Sequence, residues 1–134
     1  MGAMRMKNKF RIDDKELLHK KHFPVKALFD MVDDTRLIDV IKGISRGMGF
    51  GENYGACVFW NDLDDYDKEM TIKYEGAEFG LHNGEEVIIG YEDLYHYLFL
   101  ICDKYCKEFP EYAEQVNIIL NRYKYNYLLS CNKK

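Results

Sequence analysis

The sequence predicts an α+β fold, an antiparallel sheet of about four strands with N-terminal helices and a C-terminal helical hairpin packed on it. Three observations predict it. Apolar residues recur at one-turn spacing before residue 47 and again after residue 91, they alternate with polar residues from 69 to 82, and Asn83-Gly84 punctuates the strand region with a hairpin signal. A chain of 134 residues suits one domain, for which roughly 100–150 residues is the common size. Residues 1–23 read as an expression scar (Met1 to Met4) plus a basic arm or short ordered segment, and residues 24–134 as a single domain.

Each element follows from a local pattern. From Pro24, which suits a first helical turn, Val25, Leu28, Phe29 and Val32 share one face. Asp33 or Asp34 caps a second helix, whose stripe is Leu37, Ile38, Val40, Ile41 and Ile44 and which ends near Gly47. The glycine-rich run Gly47 to Gly55 reads as a helix cap and flexible connection. It lacks the Lys-Ser/Thr ending of a phosphate loop and follows a helix rather than a strand. Ala56 to Trp60 reads as a largely buried strand and Asn61 to Lys68 as an acidic turn or loop. Glu69 to Glu75 alternates as a strand with one wet face, and Ala77 to His82 alternates again. Asn83-Gly84 predicts a type I′ turn returning through Glu85 to Gly90. Tyr91 to Glu108 is a long helix with Leu94, Leu98, Ile101, Cys102 and Tyr105 on one face. Pro110 opens the next, with Ala113, Val116, Ile119, Leu120 and Tyr123 at helical spacing. Beyond Tyr123, the alternating Tyr125 and Tyr127 allow either a short strand or a fraying helix end.

Composition excludes several classes. Hydrophobic residues at 47% and charged residues at 31% lie far from disordered composition. The longest apolar run, Leu98 to Cys102, falls far short of the ~20 residues a bilayer requires, and the basic opening lacks the apolar core of a secretory signal. The expected location is therefore the cytoplasm. Cys57, Cys102, Cys106 and Cys131 contain no Cys-x-x-Cys pair and no complete zinc ligand set. His19 and His22 lie three apart, but the adjoining Pro24 argues against a metal-binding helix. The loop from Asn61 departs from a calcium loop at Tyr66 and Asp67. No cofactor is expected.

Charge is strongly partitioned. Residues 1–26 carry eight Lys/Arg against three Asp/Glu, whereas residues 30–93 carry sixteen Asp/Glu against five Lys/Arg. The acidic middle repels a phosphate backbone and steers cationic proteins, so direct nucleic-acid binding is not expected. No catalytic motif accompanies it: Ser45 and Ser130 lie outside a nucleophile elbow, and His82 and His96 have no predicted catalytic partner. Protein binding fits best, with Trp60 or Tyr66 as an aromatic anchor among carboxylates. The main rival is a metal-dependent phosphoryl-transfer enzyme using the carboxylates of residues 62–69; a non-catalytic adaptor is a third reading.

The acidic middle, Gly49-Phe-Gly-Glu-Asn-Tyr-Gly55, Val58-Phe-Trp60 and the run from Glu85 through the Tyr91-to-Pro110 helix resemble immunity proteins of contact-dependent growth inhibition systems. The resemblance is to the group that neutralises ribonuclease toxins. The resemblance spans about Leu28 to Tyr123. It implies a small, non-enzymatic cytoplasmic protein that binds the C-terminal RNase domain of a cognate toxin, without a cofactor, and blocks RNA cleavage. Residues do not transfer with it, so the expected partner-binding set comes from charge and position: Glu52, Asp62, Asp64, Asp65, Tyr66, Asp67, Glu69, Glu75 and Glu78. The expected toxin complex contains a monomer of this chain, with the acids covering the toxin's basic substrate-binding face or an exosite.

Overall fold

A computed structural model describes residues 10–129. The scar and basic stretch of residues 1–9, and Ser130 and Cys131, lie outside the described residues. Helices α1 (Phe23–Met31) and α2 (Asp34–Ile44) precede strands β1 (Phe50–Glu52) and β2 (Gly55–Phe59). A short helix α3 (Asp65–Met70) separates β2 from β3 (Ala77–Leu81) and β4 (Glu86–Ile89). Helices α4 (Tyr91–Glu108) and α5 (Ala113–Tyr123) follow, and a π-helical turn spans Lys124–Leu129.

The strands form an antiparallel meander in the order β1-β2-β3-β4. Register places Phe50, Cys57, Phe79 and Val87 in one row and Phe59, Ala77 and Ile89 in the next. By the two-residue period these rows share one face, and Cys57, Phe59, Ala77, Phe79 and Ile89 are buried there. Phe29 of α1 joins this layer, its ring centroid 5.6 Å from Phe50 and 6.0 Å from Phe79. The opposite face carries Ala56, Val58, Glu78, Glu86 and Ile88 and is partly open. The sheet is thus covered on one side by helices, the α+β arrangement the sequence predicts.

The helical patterns translate directly into burial. Val25, Leu28 and Phe29 of α1 and Leu37, Val40, Ile41 and Ile44 of α2 are buried. So are Leu94, Tyr97, Leu98, Ile101 and Cys102 of α4, and Val116, Ile119, Leu120 and Tyr123 of α5. Tyr105 is half-buried and packs edge-on against Phe10 at 5.2 Å.

Residues 10–22 form a strap of two 3₁₀ turns that closes the core. Phe10 and Ile12 are buried. The Arg11 guanidinium donates to the carbonyls of Phe29 (2.8 Å) and Val32 and pairs with Asp34 Oδ1 at 2.7 Å, tying the strap to the α1–α2 corner. Lys104 Nζ reaches the Arg11 carbonyl (2.6 Å) and Glu16 Oε1 (2.7 Å). At the other end of the strap, Tyr97 Oη accepts from the Leu18 amide (2.9 Å) and lies 2.7 Å from His22 Nδ1.

Four local expectations need correction. Glu69 to Glu75 is not a strand: α3 runs to Met70, the following residues leave the sheet, and Ile72 is 91% exposed. The fourth strand is β1, inside the glycine-rich connection, where Phe50 pairs with Cys57 and points into the core layer. The Asn61-to-Lys68 segment is a 3₁₀ turn followed by the start of α3, because Asp64 Oδ1 accepts from the Asp67 amide at 2.8 Å and caps that helix. The Asn83-Gly84 hairpin forms, but only Gly84 has positive φ (+100°), so its turn is not type I′. Gly84 donates to the Leu81 carbonyl (3.0 Å) and Leu81 to that of Glu85 (2.7 Å), the bonding of a longer loop with a glycine bulge. The open choice after Tyr123 resolves as a helical continuation. Tyr127 stacks on Tyr91 at 4.6 Å, and Asn126 Nδ2 donates to the Ser45 carbonyl at 3.0 Å.

Candidate functional site

The residues between β2 and β3 form an excursion from the sheet whose foot is fixed by hydrogen bonds. Asp62 Oδ2 accepts from the amides of Gly49 and Phe59, both at 2.9 Å. On the returning limb Tyr74 Oη donates to the Val58 carbonyl at 2.9 Å, and its ring meets Trp60 edge-on at 5.7 Å and 87°. Burial, reinforced by the charge of Glu78, pushes the Tyr74 phenol up to about 12, so it remains a donor at neutral pH. Trp60 is half-exposed in this bracket.

The nine expected partner-binding residues separate into three physical classes. Glu52 ends β1 with its side chain only 11% exposed and its carboxylate 2.6 Å from Arg36 of α2. Asp62 holds the foot of the excursion, and Asp64 caps α3. Each of these three carboxylates performs internal work. Asp65, Tyr66, Asp67, Glu69 and Glu75 are exposed along the excursion, as are Asp62 and Asp64 despite their internal hydrogen bonds. Glu78 projects from the open sheet face, half-buried, where desolvation and then the charge of Glu86 hold its carboxyl above the usual range.

Two features escape a reading of the sequence alone. The first is a cleft of about 300 Å³ beside the foot of the excursion, lined by Glu75, Gly90, Tyr91, Glu92, Asp93, Tyr127 and Leu128. Its aromatic lining and three carboxylates suit a cationic side chain. Glu92 and Asp93 were legible as helix-start acids, but their meeting with Tyr127 depends on the π-turn. The second is the exposure of Met70 (69%) and Ile72 (91%), which lie near the equally exposed Tyr66 (68%) in sequence. The i,i+4 spacing of Tyr66 and Met70 was the available signal.

The chemistry of the other reactive residues is subdued. Among the described residues no three His, Cys, Asp or Glu side chains are grouped to hold a metal ion. His22 is buried against Tyr97, and His96 Nε2 lies 3.2 Å from the Glu16 carbonyl. Burial pushes the Cys57 thiol upward and that of Cys102 up to about 12, away from the thiolate a nucleophile needs. No helix among the described residues is long and apolar enough to cross a membrane.

A family described as CDI immunity protein, CDI denoting contact-dependent growth inhibition, matches residues 21–120. The match takes in α1, all four strands and the excursion, α4 and most of α5. No curated protein matches the chain.

Proposed function

The chain belongs to the CDI immunity protein family and has an immunity role against a toxin; from that premise we propose that its cognate toxin is a ribonuclease, neutralised by binding without chemistry. The observation that carries this reading is the exposure of Asp65, Asp67, Glu69 and Glu75 on an excursion with a fixed foot. A ribonuclease needs a positive surface to hold RNA phosphates. An acidic projection complements that surface and competes with the RNA for it. Tyr66 lies among these acids, and Glu78 extends the negative surface onto the open sheet face. We assign the interface to these six residues and give Glu52, Asp62 and Asp64 the supporting role of shaping it. On this reading one copy of the chain acts as a single domain in the cytoplasm, forms a stoichiometric complex with the toxin's C-terminal domain and needs no cofactor.

The test is a titration of the cognate toxin's C-terminal domain with this chain, following both binding and RNA cleavage. The wild-type protein is expected to suppress cleavage at one equivalent. The D65N/D67N/E69Q variant is expected to bind about 10- to 100-fold more weakly, mainly through a lower association rate. Its affinity should also depend less on salt. A toxin that binds but has no ribonuclease activity would overturn the assignment of toxin class. Unchanged affinity and salt dependence in the variant would overturn the acidic interface.

A further inference from the structure

We propose that Tyr66, Met70 and Ile72 form the anchor by which the excursion seats in its partner, a protein presenting an apolar recess bordered by lysine and arginine side chains. The inference rests on the immunity reading and adds the apolar part of the contact. Tyr66 and Met70 stand one turn apart on α3, and Ile72 lies just past its C-cap, Thr71. Their exposures of 68%, 69% and 91% place three large apolar side chains in water within seven residues. Scattered exposed apolar residues are ordinary, whereas a local group surrounded by charge is the pattern of an interaction surface.

The exposure accompanies a defined conformation. Asp62, Tyr74 and the Trp60–Tyr74 contact fix the foot, and Asp64 caps the helix. The backbone that carries the group is therefore held at its foot and at the start of α3, which reduces the backbone entropy lost on association. Tyr74 shows the contrast within one segment: it folds back to Val58, while Ile72, two residues earlier, remains in solvent.

Charge selects the occupant. Residues 62–75 carry six Asp/Glu and two Lys. An anionic membrane or a phosphate backbone is repelled by such a segment. A second copy approaching by twofold symmetry would bring the same carboxylates face to face, which opposes self-association here. A cationic protein satisfies both parts of the surface: its basic rim meets Asp65, Asp67 and Glu69, and its apolar recess receives the anchor.

The experiment compares wild type, Y66S/M70S/I72S and D65N/D67N/E69Q for binding to the purified toxin domain, with melting curves and light scattering on each. The serine variant is expected to melt as wild type does and to lose about 100-fold in affinity, chiefly through faster dissociation. The acid variant is expected to change mainly the association rate. Wild-type binding combined with less than a threefold loss in the serine variant would overturn the anchor and leave the immunity reading intact. Failure of the wild type to bind would overturn both. A wild-type dimer that the serine changes convert to a monomer, with toxin affinity unchanged, would overturn the proposal in favour of self-association.

Discussion

Replacing Arg11 by methionine keeps most of the apolar stem and removes the guanidinium that joins the strap to the α1–α2 corner. Arg11 is 4% exposed and contacts the Phe29 and Val32 carbonyls and the Asp34 carboxylate. Breaking a buried ion pair costs about 3–5 kcal/mol. One effect places the loss at the low end of that range: Arg11 Nη1 is buried without a hydrogen-bond partner, so its removal also relieves a cost, whereas the paired oxygen, Asp34 Oδ1, is itself buried although its side chain is 22% exposed overall. A net loss of about 3 kcal/mol follows, and a chain of this size should melt roughly 10 °C lower. Urea unfolding and thermal melts of R11M, D34A and R11M/D34A provide the assay. The double variant should lose about 1–2 kcal/mol less than the sum of the single losses, because it orphans no charge. A loss below 1 kcal/mol in R11M, or strict additivity, would refute the reasoning.

His22 sits against Tyr97 Oη and has a lowered pKa, caused first by burial; Asp93 opposes that shift, and His19 and Lys21 reinforce it. The folded state thus favours the neutral ring: its stabilisation is present above about pH 6.5 and is lost as pH falls toward the depressed folded value. Melting temperature should therefore fall between pH 7 and 5, and His22→Gln should flatten that decline; an unchanged slope would contradict the assignment. Gly47 has φ +79°, and an added Cβ would stand 2.0 Å from Tyr127 Oη. Gly47→Ala should cost about 1–2 kcal/mol for the backbone plus the cost of displacing Tyr127, and Tyr127→Phe should relieve the second part alone. Urea unfolding of the two single variants and the double measures that coupling.

The long helices were legible because their stripes are long. In α4, Leu94, Leu98, Ile101 and Cys102 repeat over several turns, and Pro110 separates that helix from α5. Strand β1 was not legible because Phe50-Gly51-Glu52 is too short to show a period, and its place is set by pairing with Cys57, Ala56 and Gly55. The segment around Met70 satisfied two periods at once. Its polar-apolar alternation suggested a strand, while the Asp64 cap and the Tyr66–Met70 spacing favoured a helix turn, and the cap prevailed. The same limit applies to the surface. Acid density was visible in composition, but Glu52 is engaged by Arg36 and Asp62 by Gly49, partners sixteen and thirteen residues away. Only the folded chain separates those hydrogen-bonded carboxylates from the ones at Asp65, Asp67, Glu69 and Glu75.

The strap has a temporal consequence. Lys104 reaches back 93 residues to the Arg11 carbonyl, and Tyr97 reaches back 75 residues to His22. During synthesis, residues 10–22 therefore appear long before the helix that retains them, and this closure waits until α4 has been made. A ribosome that stalls before residue 104 leaves a chain bearing the acidic excursion but lacking the clasp that closes the domain over its core. Immunity then depends on chains completed past residue 104, since only these carry the clasp.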